Sequence, residues 1–203
     1  MTDILASMTS NLNQLINHVQ RSLVMVHNGR FGVGTGIFWR LGGYILTNQH
    51  VLGRKKRLRV TLNDGREVAA RLVERAPAID LALLQVELPD TPAALIADSR
   101  VAKVGQIVLA VGHPWGQRGV VTAGIISGLG NATTHRKGEK IPIIRSDVTL
   151  APGNSGGPLV NAAGGVIGIN TMIIGGDLGV AIPSHVAEDF VRDALGERVG
   201  VVV

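Results

Sequence analysis

The segment Gly153-Asn154-Ser155-Gly156-Gly157-Pro158 brings together the residue types that nucleophilic catalysis needs. A serine hydroxyl attacks a carbonyl well only when a base takes its proton, and the oxyanion that forms needs backbone N–H donors aimed at it. Glycines around the serine let the chain bend so that nearby amides point into one spot. The amides of Gly153 and Ser155 are the expected donors, and Asn154 completes the oxyanion turn. His50 directly follows the run Tyr44-Ile45-Leu46-Thr47-Asn48-Gln49, so it is expected at the end of a strand, held firmly yet able to reach a cleft. Asp80 lies within Ala78-Ile79-Asp80-Leu81-Ala82-Leu83-Leu84. Its apolar neighbours predict burial, which is costly for a carboxylate unless it is paired or hydrogen-bonded. Its use would be to accept the Nδ1–H of a histidine base and stabilise the imidazolium. The catalytic reading is therefore Ser155 as nucleophile, His50 as general base and Asp80 as the group that orients it.

The order along the chain is His, Asp, Ser. Gly153 to Gly157 also fits the G-x-S-x-G elbow of α/β-hydrolases, but that fold needs the order Ser, Asp, His and a helix after the serine. Gly156-Gly157-Pro158 opposes such a helix. Asp177 and His185 do follow Ser155, with too little chain left to complete that sheet.

These residues must be positioned by short strands. Residues 3 to about 20 repeat apolar side chains at helical spacing (Ile4, Leu5, Met8, Leu12, Leu15, Ile16, Val19), with Thr2 or Asp3 able to cap the start. Beyond Arg21 the period changes. Strands are expected at 22–27 before the turn Asn28-Gly29, then at 34–39, 44–47, 58–62, 67–73 and 80–86. A bridge at Pro89 to Pro92 separates these from strands at 107–111, 120–129, 141–148, 158–161, 166–171 and 178–182. Pro183-Ser184 opens a helix to about Leu195, with Ser184 as its cap. Many short strands without alternating helices argue for barrels or sandwiches rather than a parallel α/β sheet. Gly32-Val33-Gly34-Thr35-Gly36 leads into strand-like sequence, not a helix, and is not read as a phosphate loop.

Composition bounds the remaining choices. The chain has 203 residues, 45% of them apolar but only 3% aromatic, with 27 Gly. The core must be aliphatic. With no Cys, disulfides, thiolate catalysis and Cys-based zinc sites are excluded, and no metal or other cofactor is called for. No apolar run reaches the roughly 18 residues of a transmembrane helix. Met1 to Leu5 lacks the features of a secretory signal, which predicts a cytoplasmic protein, or an exported one if a targeting segment is missing. The net charge is +5. The basic run Arg54-Lys55-Lys56-Arg57 with Arg59 has no interleaved aromatics to stack on bases, so it is read as a solvated loop and no nucleic-acid partner is expected.

The sequence resembles the HtrA (Deg) family of chymotrypsin-like serine proteases. The likeness spans about residues 22 to 190 and rests on Gly34-Thr35-Gly36-Ile37, Gly43 to Val51, Asp80 to Leu84, Gly112-His113-Pro114-Trp115-Gly116, Pro152 to Asn161, Gly168 to Thr171 and Ala181-Ile182-Pro183. It implies an all-β fold of two antiparallel β-barrels with the active site between them. The expected organisation is an N-terminal helix (1–20), an N-terminal barrel (21–92), a C-terminal barrel (93–183) and a short C-terminal helix (184–197). Residues 198–203 would open the PDZ domain that usually follows. The resemblance carries the triad onto His50, Asp80 and Ser155 and the oxyanion hole onto Gly153, Asn154 and Ser155. It also implies that the Thr171 hydroxyl binds Asp80 from the far side. The substrate pocket would be lined by Thr149, Leu150, Thr171, Met172, Ile173 and Val180, which carry no acid to receive Lys or Arg. Family members usually form homotrimers through aromatic residues near the N-terminus, although none occurs here before Phe31, and the short loop around Phe31 argues against a long regulatory insertion. The expected function is an ATP-independent serine endopeptidase of protein quality control, cutting unfolded or misfolded polypeptides. A catalytically silent peptide-binding module on the same fold is the alternative.

Overall fold

A computed structural model describes residues 2–27, 33–53, 57–88, 90–133, 140–174 and 178–197, apart from the side chains of 2–4, 172–174 and 178. The basic residues 54–56, the Asn28-Gly29 turn, Phe31, Asp177 and residues 198–203 lie outside the described residues, as do the side chains of Met172 and Ile173.

The chain opens with helix α1 (Thr2–Arg21) and continues through β1 (Leu23–His27), β2 (Val33–Arg40) and β3 (Tyr44–Asn48). A single helical turn, α2 (Gln49–Leu52), follows, then β4 (Leu58–Thr61), β5 (Glu67–Ala76) and β6 (Leu81–Gln85). The second half holds β7 (Ile107–Gly112), β8 (Val120–Thr133), β9 (Lys140–Ser146), β10 (Pro158–Asn161), β11 (Val166–Ile174), β12 (Leu178–Pro183) and helix α3 (Ser184–Leu195). Strands β1 to β6 close into one antiparallel barrel in the order β1-β2-β3-β6-β5-β4, and β7 to β12 into another in the order β10-β11-β12-β9-β8-β7.

The strand period explains how so aliphatic a sequence fills two barrels and the space between them. Successive side chains of a strand point to opposite faces. In β6, Ala82 and Leu84 fill the first barrel with Val24, Val26, Ile45 and Val60. The alternate residues Leu81 and Leu83 face outward and join Ile37, Leu46, Leu109, Val111, Ile169 and Ile182 in a separate cluster. That cluster draws on strands of both barrels and on Ala187 and Val191 of α3. Burial on both faces is why β6 reads as an uninterrupted apolar run. The second barrel is filled by Val108, Ile126, Ile144, Leu159 and Ile167 among others.

The helices depart from expectation in three ways. In α1, Val19 is buried and Leu15 and Ile16 pack on the core, but Leu5, Met8 and Leu12 are exposed, so only the last turns of its apolar stripe are covered. His50 does not end strand β3; it sits two residues beyond Asn48, in α2. Ser184 does not cap α3. Pro183 holds the cap position, and Ser184 is the first helical residue. Its hydroxyl donates to the Ala97 carbonyl at 2.6 Å and accepts the Ser99 N–H at 3.1 Å, tying the helix to the loop before β7 instead.

Candidate active site

His50 and Asp80 come from consecutive structural steps of the first barrel. Strand β3 pairs with β6 so that Asn48 lies opposite Leu81, which brings Gln49 to Asp80, just before β6, and His50 one residue beyond. Asp80 holds a left-handed backbone, φ 53°, which is uncommon for a residue with a Cβ but more accessible to Asp than to most. Three bonds fix it there. Its carbonyl accepts Asn48 Nδ2–H at 2.9 Å and the Gln49 N–H at 3.1 Å, and its Oδ1 accepts the His50 N–H at 3.0 Å. The left-handed turn leaves Oδ2 facing the imidazole, and His50 Nδ1 lies 2.7 Å away. An ionised carboxylate only accepts, so Nδ1 carries the proton and Nε2 is the free base.

Thr171, on β11 of the second barrel, donates its hydroxyl to the same Oδ2 at 2.6 Å. Burial opposes ionisation of Asp80, but the hydrogen bonds from His50 and Thr171, with the favourable electrostatics of the imidazole beside it, outweigh it. The carboxyl is held below its ordinary range. Asp80 is thus a fixed negative charge shared between the barrels, while the His50 ring is about half exposed, at 49%.

Ser155 lies in the loop between β9 and β10. Its hydroxyl donates to the Thr171 carbonyl at 2.9 Å, its one partner among the described residues. The preceding turn is closed by the Asn154 N–H on the Ala151 carbonyl at 2.9 Å. The Asn154 amide is therefore engaged within the turn. The Gly153 and Ser155 amides, by contrast, have no acceptor among the described residues. Gly153 is at φ 107°, a conformation that favours glycine at this turn position, and a Cβ there would stand 2.5 Å from the His113 carbonyl oxygen. Gly156 is equally obligatory: at φ 86°, a Cβ there would stand 2.0 Å from the Thr35 carbonyl oxygen.

The pocket residues are less closely assembled. Leu150 is half-buried and packs with Val148 against Gly179, where an added Cβ would lie 3.1 Å from Leu150 Cδ1. Thr149 is exposed, and its carbonyl accepts the Thr122 hydroxyl at 2.8 Å. Val180 is buried on β12, paired with Arg145 of β9 and Met172 of β11.

Sequence reasoning had no role for Thr35, Asn48 or His113. Each is a polar side chain with at most 5% exposure, and Thr35 and Asn48 bond to segments carrying site residues. Asn48 bonds to the carbonyl of Asp80. His113 is buried behind the oxyanion turn, where burial first, and Arg118 second, lower its pKa to about 4. It is neutral, with Nδ1 accepting the Gly119 N–H at 3.1 Å. The only advance signal was polar residues set in otherwise apolar strands.

The placement of His50 and Asp80 on one barrel and of the Ser155 turn on the other is that of the two-barrel serine hydrolases. Comparison with known proteins narrows this class. The model of the trypsin-like peptidase domain matches residues 34–169, and the chain belongs to that family. A probable periplasmic serine endoprotease DegP-like of Marinomonas sp. (strain MWYL1) is 46% identical over 163 residues, 78% of this chain and 34% of that protein. A probable periplasmic serine protease do/HhoA-like of Haemophilus influenzae is 42% identical over 171 residues, 81% of this chain and 37% of that protein. The chain thus spans about a third of the length of these curated relatives. Among solved structures, HtrA-type protease AlgW with tripeptide superposes with a TM-score of 0.82 at 33% identity, covering 94% of this chain and 64% of that one. The chain's fold is that of HtrA protease domains.

Proposed function

We propose that this chain is the catalytic domain of an ATP-independent serine endopeptidase that cuts unfolded or misfolded polypeptides. The observation that carries the reading is the paired Asp80 carboxylate, which takes the His50 Nδ1–H at 2.7 Å and the Thr171 hydroxyl at 2.6 Å beside a serine turn with two unengaged amides. In this reading a substrate carbonyl enters the space before the Gly153 and Ser155 N–H groups. Its approach draws the Ser155 hydroxyl from the Thr171 carbonyl to His50 Nε2 by rotation about one side-chain torsion. His50 takes the proton as Oγ bonds to the carbonyl carbon, and Asp80 stabilises the imidazolium. The two amides receive the oxyanion, and His50 returns its proton to the leaving amine. A water activated by the same imidazole then releases the acyl group.

The substrate class follows from the pocket. Its residues, Thr149, Leu150, Thr171, Met172, Ile173 and Val180, offer no carboxylate, and Leu150 against Gly179 limits its depth. Small and medium aliphatic side chains suit it. Such residues are buried in folded proteins and exposed in unfolded ones, which supports a quality-control role. Peptides are the ligands named for AlgW in solved complexes, and that supports polypeptide substrates here. The relatives are described as periplasmic, so export belongs to the proposal and a cytoplasmic location is its alternative. No helix among the described residues is long and apolar enough to cross a membrane. A homotrimer is part of the same reading, since a second copy would cover Leu5, Met8 and Leu12 of α1. Casein hydrolysis tests the proposal. Cleavage by the wild type that falls by about a millionfold in Ser155→Ala supports it; a mutant retaining a tenth of the rate rejects Ser155 as the nucleophile. A wild type that binds casein without cutting it supports the silent peptide-binding module.

A further inference from the structure

We infer that Thr35 is a positioning residue: from the first barrel, it fixes two peptide planes of the oxyanion turn carried by the second, those that flank the Ser155 amide. The inference rests on the proposed peptidase reading and deepens it.

Four consecutive carbonyls, from Pro152 to Ser155, each have one donor. Pro152 O takes the Trp115 N–H at 2.9 Å, and Asn154 O takes the Gly157 N–H at 3.0 Å. The other two donors both belong to Thr35. Its hydroxyl donates to Gly153 O at 2.7 Å, and its N–H donates to Ser155 O at 2.9 Å. A carbonyl shares its peptide plane with the N–H of the next residue, so Trp115 and Gly157 hold the planes of the Gly153 and Ser155 amides, and Thr35 holds the two planes that alternate with them, those of the Asn154 and Gly156 N–H groups. The Gly153 and Ser155 amides have no acceptor among the described residues, and the Thr35-held plane between them and the Thr35-held plane after Ser155 keep the Ser155 amide from turning and restrain the Gly153 amide from one side. Preorganisation of this kind is what gives oxyanion donors their effect, because no reorganisation is needed as charge develops.

Thr35 is itself held on every side. It has 0% exposure. Its Oγ1 accepts the His113 N–H at 2.9 Å, which obliges the hydroxyl proton to point at Gly153 O. Its carbonyl accepts the Thr47 hydroxyl at 2.6 Å, and Thr47 lies three residues before His50 on the strand that leads to it. One residue therefore ties the strand that leads to His50 to the nucleophile turn across the barrel junction. The absence of a side chain at Gly156 lets the Thr35 carbonyl come this close. This gives Gly34-Thr35-Gly36 a role that a phosphate loop did not explain.

The test compares wild type with Thr35→Val, Thr35→Ala and Thr35→Ser on a peptide substrate, with folding checked by circular dichroism. Affinity for a peptide boronate, whose tetrahedral adduct uses the oxyanion amides, is measured alongside. In Thr35→Val, kcat is expected to fall about tenfold to a hundredfold, because sub-ångström to 1 Å misplacement costs up to about that much. KM should stay within about twofold, the boronate should weaken in step with kcat, and the shape of the pH–rate profile should not change. Thr35→Ser should recover most of the rate. If Thr35→Val does not fold, Thr35→Ala, which leaves room for a water between His113 N and Gly153 O, is held to the same criteria. A Val or Ala variant that keeps more than half of kcat overturns the inference, as does a Ser variant that loses as much as Val. A wild type that cuts no peptide rejects the functional reading instead, so the two failures are distinguishable.

Discussion

His113 should make the stability of this domain depend on pH in a way one substitution can remove. The side chain is 5% exposed, and its pKa lies at about 4 against an ordinary 6.5, through burial and then Arg118. Between those values the unfolded chain binds a proton that the folded chain refuses, so stability rises with pH there and falls as pH drops from about 6.5 towards 4. Linkage puts the loss at roughly 2 kcal/mol at pH 5 and roughly 3 kcal/mol at pH 4, with almost none above about pH 7.5. Protonation at Nδ1 also removes the acceptor of the Gly119 N–H. His113→Asn can present Oδ1 near the Nδ1 position and keep that bond without a titrating group. Thermal unfolding of both proteins across this range isolates the effect, because Asp80 and the other carboxylates contribute equally to each. For a domain of this size, 3 kcal/mol corresponds to about 6–12 °C in Tm. The wild type should lose that much more than His113→Asn between about pH 7.5 and pH 4. Parallel Tm curves would refute the assignment of a buried neutral imidazole.

Thr171→Val removes a hydrogen bond to an ionised carboxylate, worth about 1.5–3 kcal/mol. It should lower stability near neutral pH and move the Asp80 pKa towards its unfolded value, so that less stability is lost as the pH falls below the ordinary carboxylate range, and it should lower kcat/KM; an unchanged pH dependence of unfolding would mean that Asp80 does not depend on this hydroxyl. Gly156→Ala must move a Cβ away from a backbone oxygen 2.0 Å distant at φ 86°, so the variant should be inactive and melt well below the wild type, and a normal Tm would contradict the close approach to Thr35. Mapped casein fragments should end mostly at Val, Ala, Ile or Leu, with a graded preference because one methylene is worth only about 1–3 kcal/mol. A majority of cuts after Lys, Arg, Phe or Tyr would show the pocket assignment to be mistaken.

What could be read in advance was local. A serine framed by glycines, an aspartate embedded in Ile79-Asp80-Leu81 and short apolar runs between turns all carry their meaning within a few residues. The two-barrel architecture came through resemblance, because periodicity alone could not separate barrels from sandwiches. The missing parts depend on contacts between distant segments. Thr35 and Gly153 are 118 positions apart, and no spacing rule links them. The left-handed backbone of Asp80 follows from the β3–β6 register, not from residue type. Ser184 has the composition of a helix cap, but a nearby carbonyl, Ala97 O, takes its hydroxyl. The stripe on α1 predicted a helix correctly, but a helical period says nothing about how much of the stripe finds a partner.

The central claim is that Ser155 becomes a nucleophile through His50, and covalent labelling reads this most directly. The folded protein is incubated with a fluorophosphonate and the adduct is located by mass spectrometry. A single adduct on Ser155 in the wild type is predicted, absent in Ser155→Ala and slowed by at least about a thousandfold in His50→Ala. A folded wild type that never acquires the adduct, or one that labels at the same rate without the His50 imidazole, would contradict it.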